Sequence, residues 1–244
     1  MNKRLYLLIV VFALCGSGNV FAQVAAWGGG ADYNDYSFGF YFSYITSSYK
    51  ILKKPDWRAP YADATGKTYT DSLNSVASSP SDGFGIGFIY RYRITDNFEV
   101  RTTPALVFAD RSITYQFATA SQNKVQTISA ALMEFPLSLK VKSDRMGDFR
   151  AYLIGGVKYS YGLSGPKPDD PTESPINKPV QNVRGFSSYE VGVGCDIYFN
   201  YFKFSPELKI SNSFHNILVA ANDPYNKPLD QLFLHTLSFS IYFE

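Results

Sequence analysis

Fourteen ionisable side chains recur at alternate positions within short segments of this 244-residue chain: Arg91, Arg93, Glu99, Arg101, Glu134, Lys140, Lys142, Arg150, Lys158, Glu190, Asp196, Lys203, Glu207 and Lys209. Nine are basic and five acidic. Opposite charges set face to face by such spacing make salt bridges and charge-assisted hydrogen bonds. Acyl or phosphoryl chemistry asks for something else: a nucleophile, a base and an orienting group at one place, or a glycine loop that cradles phosphates. The chain has only His215 and His235 as histidines, near the outer ends of different segments. Gly28-Gly29-Gly30 reads as a flexible lead-in. Cys195 falls among apolar neighbours and reads as a small hydrophobe. The residues therefore predict no catalytic group, no cofactor and no metal centre, and give the charges a structural task.

The elements that must position these charges are strands. From Gly83 to Ile94, the residues Phe84, Ile86, Phe88, Tyr90, Tyr92 and Ile94 oppose Gly83, Gly85, Gly87, Ile89, Arg91 and Arg93. Period two over twelve residues belongs to a pleated strand and to no helix. Around it lie Tyr36–Tyr49, Phe98–Phe117, a strand through Met133–Lys142, Phe149–Leu163, Tyr189–Phe199, Phe202–Ser211 and Phe233–Phe243, eight strands in all. Pro104 predicts a bulge or a missing ladder bond, and Pro136 a bend or bulge. Glu134 is placed to pair with Arg150 or Lys158.

One face of each strand is aromatic and aliphatic, and the other collects the fourteen charges. In a secreted sandwich or a lipocalin-like barrel the apolar face is the core and the charges lie outside. The reverse assignment for a soluble fold buries too many ionised groups. Lipid outside and charge inside removes the conflict. The expectation is an all-β, eight-stranded antiparallel transmembrane β-barrel with a polar, side-chain-filled lumen. Eight strands enclose an interior only wide enough for side chains, so no large pore is expected; a narrow small-solute path is the weaker alternative.

Lys3 and Arg4, the apolar run Leu5–Leu14 and Val20-Phe21-Ala22 read as a signal peptide over residues 1–22. Leu14 before Cys15 is a poor lipoprotein signal. Removing two basic residues from 23 leaves 21 against 21 acidic, so charge offers no case for nucleic acid. It also leaves Cys195 alone, which excludes an internal disulfide. Residues 23–35 read as a periplasmic lead-in and 36–244 as the barrel, with long outer loops near 50–82, 164–184 and 219–230. Connections alternate long and short as in bacterial outer-membrane barrels, which puts the protein in the outer membrane, in contact with its lipid, with both termini periplasmic. Trp57, among Lys53, Lys54 and Arg58 in the first loop, is either a partner-binding anchor or folded onto the barrel rim.

Several segments resemble the PorT (SprT) family of Bacteroidetes: Phe38-Gly39-Phe40, Lys53-Lys54-Pro55-Asp56-Trp57, Met133-Glu134-Phe135-Pro136-Leu137 with Lys140, Lys142 and Ser143, and Arg150-Ala151-Tyr152-Leu153-Ile154-Gly155-Gly156. They occur in matching order over most of the mature chain, the hairpin Glu134–Gly156 being the most telling. The resemblance implies a non-enzymatic outer-membrane component of the type IX secretion system, needed to export proteins with a C-terminal sorting domain and, in some relatives, for gliding. It implies other secretion components as partners and carries over no catalytic residue. A structural or adhesive barrel is the alternative.

Overall fold

A computed structural model describes residues 34–63, 66–163 and 174–244. The expected signal peptide, nearly all of the lead-in and part of the second long loop lie outside the described residues. Twelve strands follow in order: β1 (Tyr36–Lys53), β2 (Tyr61–Ala62), β3 (Thr68–Thr70), β4 (Leu73–Ser79), β5 (Ser81–Arg93), β6 (Phe98–Thr102), β7 (Ala105–Phe117), β8 (Lys124–Lys142), β9 (Phe149–Gly162), β10 (Gly185–Tyr198), β11 (Lys203–Ser213) and β12 (Leu229–Phe243). β4 with β5, and β6 with β7, each form one interrupted stave, so the sheet has eight staves. Each is antiparallel to the next, and β12 pairs with β1, which closes the ring. Closure leaves no sheet edge, the condition for a sheet to stand in lipid. Among the described residues, only the small β2–β3 hairpin lies outside the ring.

The two interruptions have different causes. Between β6 and β7 the register against β8 is unchanged, since Thr102 faces Leu137 and Ala105 faces Glu134. Thr103 therefore stands opposite Pro136, which has no N–H to give it. The Thr103 carbonyl accepts from the Tyr41 hydroxyl at 3.2 Å, and the Thr102 hydroxyl donates to the Pro136 carbonyl at 2.7 Å. The prolines thus mark missing ladder bonds rather than bulges. Between β4 and β5 the register against β7 does slip: Ser79 faces Ser112 but Gly83 faces Ala109. A one-residue slip exchanges faces, so Val76 is inward on even parity and Gly85 on odd.

The end with the short turns connects β5 to β6, β8 to β9 and β10 to β11 through residues 94–97, 143–148 and 199–202. Gly147 supplies the left-handed backbone that the middle turn needs, with φ of 63°. At the other end β7 passes to β8 through residues 118–123, and the other three connections are longer. The first is shorter than the expected 50–82, because β1 runs on to Lys53 and β4 occupies Leu73–Ser79. The last spans 214–228 rather than 219–230, since Leu229 already pairs with Lys53.

The amphipathic sense inverts along the staves. Near the short turns the outward residues are apolar and exposed, as in Phe38, Phe40, Phe42 and Tyr44 of β1 or Leu106 and Phe108 of β7. Further along β7 the outward positions become Asp110, Ser112, Thr114 and Gln116, while the inward Ile113, Tyr115 and Phe117 are fully or nearly fully buried. The lower section is thus a membrane barrel and the upper one is built like a soluble protein. The hydrophobic core sits in the upper section, where Ile113, Leu229 and Leu232 meet Val180, Ile217 and Tyr225 from the connections. Tyr115 donates to the Tyr225 carbonyl at 2.9 Å, and Val183 N–H to the Ile217 carbonyl at 2.8 Å. These contacts fold residues 174–184 and 214–228 over the mouth as a cap.

Candidate functional site

The lower lumen is built by alternation: most charged residues at inward positions of β5 to β12 point at the barrel axis, where they meet in layers. Nearest the short turns, Glu99 of β6 lies 3.2 Å from Lys140 and 2.9 Å from Lys142 of β8, and 3.6 Å from Arg91 of β5. Lys140 also meets Asp196 of β10 at 2.9 Å, and the Ser205 hydroxyl donates to Asp196 at 2.6 Å. Glu244 takes Arg91 and Lys203, each at 2.8 Å, and closes the layer.

The middle layer centres on Glu207 of β11. It pairs with Arg101, accepts from Tyr152 and Tyr242 at 2.9 and 3.1 Å, and has Lys209 at 3.5 Å. Two cations lie over aromatic rings: Arg101 4.4 Å from the Tyr242 centroid and Lys140 3.8 Å from that of Tyr152. Space for these rings comes from glycines. A Cβ on Gly194 would fall 2.4 Å from the Tyr152 hydroxyl oxygen and 2.5 Å from the Tyr152 ring, and one on Gly87 would fall 2.6 Å from the ring of Tyr41, which stacks on Tyr242. Higher up, Glu190 accepts from Ser138 at 2.7 Å and faces Lys209 at 3.5 Å, while Glu134 pairs with Lys158 at 2.9 Å. Desolvated ions persist only with such partners.

Of the fourteen charged residues, twelve join these layers. Arg93 is at the short-turn rim, 3.1 Å from Asp35 and 3.4 Å from Asp96. Arg150 donates to the Ser143 and Asp96 carbonyls, each at 2.6 Å, and so ties two turns together. Of the two partners open to Glu134, Lys158 is the one it meets. Sequence reasoning passed over Arg111, Glu244 and the tyrosines 41, 152 and 242. Extending the alternation beyond Thr103 and to the last residue finds Arg111 and Glu244, while Tyr41, Tyr152 and Tyr242 already fall on the polar faces that the alternation defines.

Above the lumen, Trp57 is half-buried against the cap core. Its ring carries Lys53 at 4.3 Å and Arg58 at 4.9 Å. Asp223 fixes the last connection by accepting from the Tyr225 and Asn226 N–H groups at 2.9 Å and the Asn226 side chain at 2.6 Å. Its burial pushes the Asp223 carboxyl above its ordinary value, opposed by those bonds. The histidines are not brought to a common centre with a nucleophile: the His235 Nδ1 lies 2.7 Å from the Asn212 side chain, and His215 lies beside Phe214.

The family model described as outer membrane protein beta-barrel domain matches residues 21–219. The chain belongs to this outer-membrane β-barrel family. Its exposed apolar band and closed sheet agree with that membership. Among solved structures, it is similar to OprG from Pseudomonas aeruginosa, at 12% identity over 85% of this chain and 93% of that one, with a TM-score of 0.47. It is also similar to Ail, the attachment invasion locus protein of Yersinia pestis, at 12% identity over 84% and 96%, with a TM-score of 0.34. AlkL in lipid bilayers matches at 13% identity over 93% of both chains, with a TM-score of 0.36. No curated protein matches the chain.

Proposed function

We propose that this outer-membrane barrel is a non-enzymatic accessory of the type IX secretion system, acting through its surfaces rather than by conduction. The observation that carries the second half is closure. Buried ion pairs fill the lower lumen and an apolar core fills the upper one, so neither a folded cargo nor an extended chain has a path through the barrel. The first half rests on the resemblance of Phe38-Gly39-Phe40, the Lys53–Trp57 segment and the hairpin Glu134–Gly156 to the PorT family. In this reading the short-turn end and both termini face the periplasm, by the rule that outer loops are the long ones. The barrel packs beside, or helps assemble, a larger translocon. Trp57 with Lys53 and Arg58 is the proposed contact on the outer face, and the lead-in that of the periplasmic side.

A clean deletion tests it, with proteins bearing the sorting domain quantified in periplasm, cell surface and medium. Cargo held in the periplasm and released on complementation is the expected result. Normal export would discard the secretion role and leave a structural or adhesive barrel.

A further inference from the structure

One ion of the lumen has no counter-charge. Arg111 projects inward from β7, between Ala109 below it and Ile113 above, and is only 3% exposed. Among the described residues no carboxylate pairs with it, its Nε has no hydrogen-bond partner, and its near polar neighbour is the Tyr49 hydroxyl. Tyr49 is itself held by the side chain of Asn182.

Arg111 lines a cavity of about 30 Å³ together with Glu134, Lys158, Glu190 and Lys209. Three cations thus face two carboxylates, and both carboxylates are already engaged. Glu134 has Lys158 at 2.9 Å and the Ser160 hydroxyl at 3.3 Å; Glu190 has Ser138 and Lys209. The remaining wall is rich in hydroxyls, Ser43, Ser211 and Thr236 among them. These groups donate to an anion as readily as they accept from a cation.

A guanidinium withdrawn from water without an opposite charge is strongly disfavoured, whereas a halide beside it turns the same burial into an attractive pair in a low-dielectric site. We propose that this cavity binds a single monatomic anion of halide size, held by Arg111 and the surrounding hydroxyls. Volume sets the class. A space with room for about two water molecules accepts a chloride ion together with its hydroxyl contacts. The apolar cap core lies above the cavity and the Glu207 layer below it, which makes the site an end station rather than a step on a conduction path. The anion completes the charge balance of the lumen where the carboxylates leave it short.

The test uses the full barrel refolded into detergent or lipid nanodiscs. Crystals grown in bromide should show an anomalous peak at hydrogen-bond distance from the Arg111 guanidinium. Replacing chloride by gluconate at equal ionic strength should lower the thermal midpoint of the wild-type protein, and Arg111→Met should abolish that response. The first two readouts need no variant, so they stand even if Arg111→Met folds poorly. The proposal is overturned by a cavity with no bromide peak, by equal midpoints in chloride and gluconate, or by a chloride response undiminished in Arg111→Met. Bromide seen only at molar concentration, with the midpoint unmoved, is an adventitious ion only and overturns it as well.

Discussion

Glu207 shows how each buried charge here depends on its neighbours. It receives Arg101, Lys209 and two tyrosine hydroxyls, so Glu207→Gln leaves the Arg101 guanidinium buried without an opposite charge. The expected cost is about 3–5 kcal/mol, read as a lower urea midpoint for unfolding from phospholipid vesicles. Replacing both partners, Arg101→Met with Glu207→Leu, should restore more than half of that loss, because the pair is desolvated at a cost that apolar side chains avoid. At Asp223 the sign of the pH dependence runs the other way from that of an ordinary ion-paired carboxylate. Burial raises its pKa in the folded cap above the ordinary 3.8, so its contribution is most favourable below that value and declines as pH rises through the folded pKa. Hydrogen exchange at the amides of Tyr225, Asn226 and Lys227, corrected for intrinsic rates, should show protection falling from pH 3.5 to 7 in the wild type and falling less in Asp223→Asn. Glu207 and Arg101 were legible from parity alone. That Glu134 meets Lys158 and not Arg150 was not, since strand alternation fixes the face but not the height in the lumen.

At the scale of a stave, the sequence pattern carries the lower section far better than the upper. Strict period two from Gly83 to Ile94 placed β5 without ambiguity, and β8, β9 and β12 followed in the same way. Two physical reasons hid the rest. The register slip across Pro80 to Asp82 exchanges the faces of β4, so the alternation appears to end at Asp82 and the pattern gives no strand before it. On β7 the parity holds but the polarity of each face reverses above Phe108, which a search for an apolar outer face does not follow. The reversed section has its own energetics. Ile113→Ala should cost about 2–5 kcal/mol as a core truncation and speed hydrogen exchange in residues 214–228, while amides of the lower staves stay protected. Tyr41→Phe tests the proline seam: it leaves the Thr103 carbonyl without its donor and should cost about 1–3 kcal/mol, where Tyr44→Phe on the exposed lipid side should cost little. Equal effects of the two would deny the seam its special role.

The whole molecule combines two solvents in one sheet. Where lipid surrounds it, apolar residues face out and the ions compensate one another inside; where water surrounds it, the arrangement is reversed and the interior is a conventional hydrophobic core. Fold class was readable because the lipid-facing alternation recurs on all eight staves. The cap was not, because it is assembled from connections whose packing partners lie far apart in sequence, as Tyr115 and Tyr225 do. Both sections of the lumen are closed, and the proposed action by contact rests on that closure. Planar-bilayer recording of the refolded protein tests it most directly. The expected result is no unitary conductance above the membrane baseline, in chloride or in gluconate, at voltages that leave the bilayer intact; a reproducible conductance of porin size would show an open lumen instead.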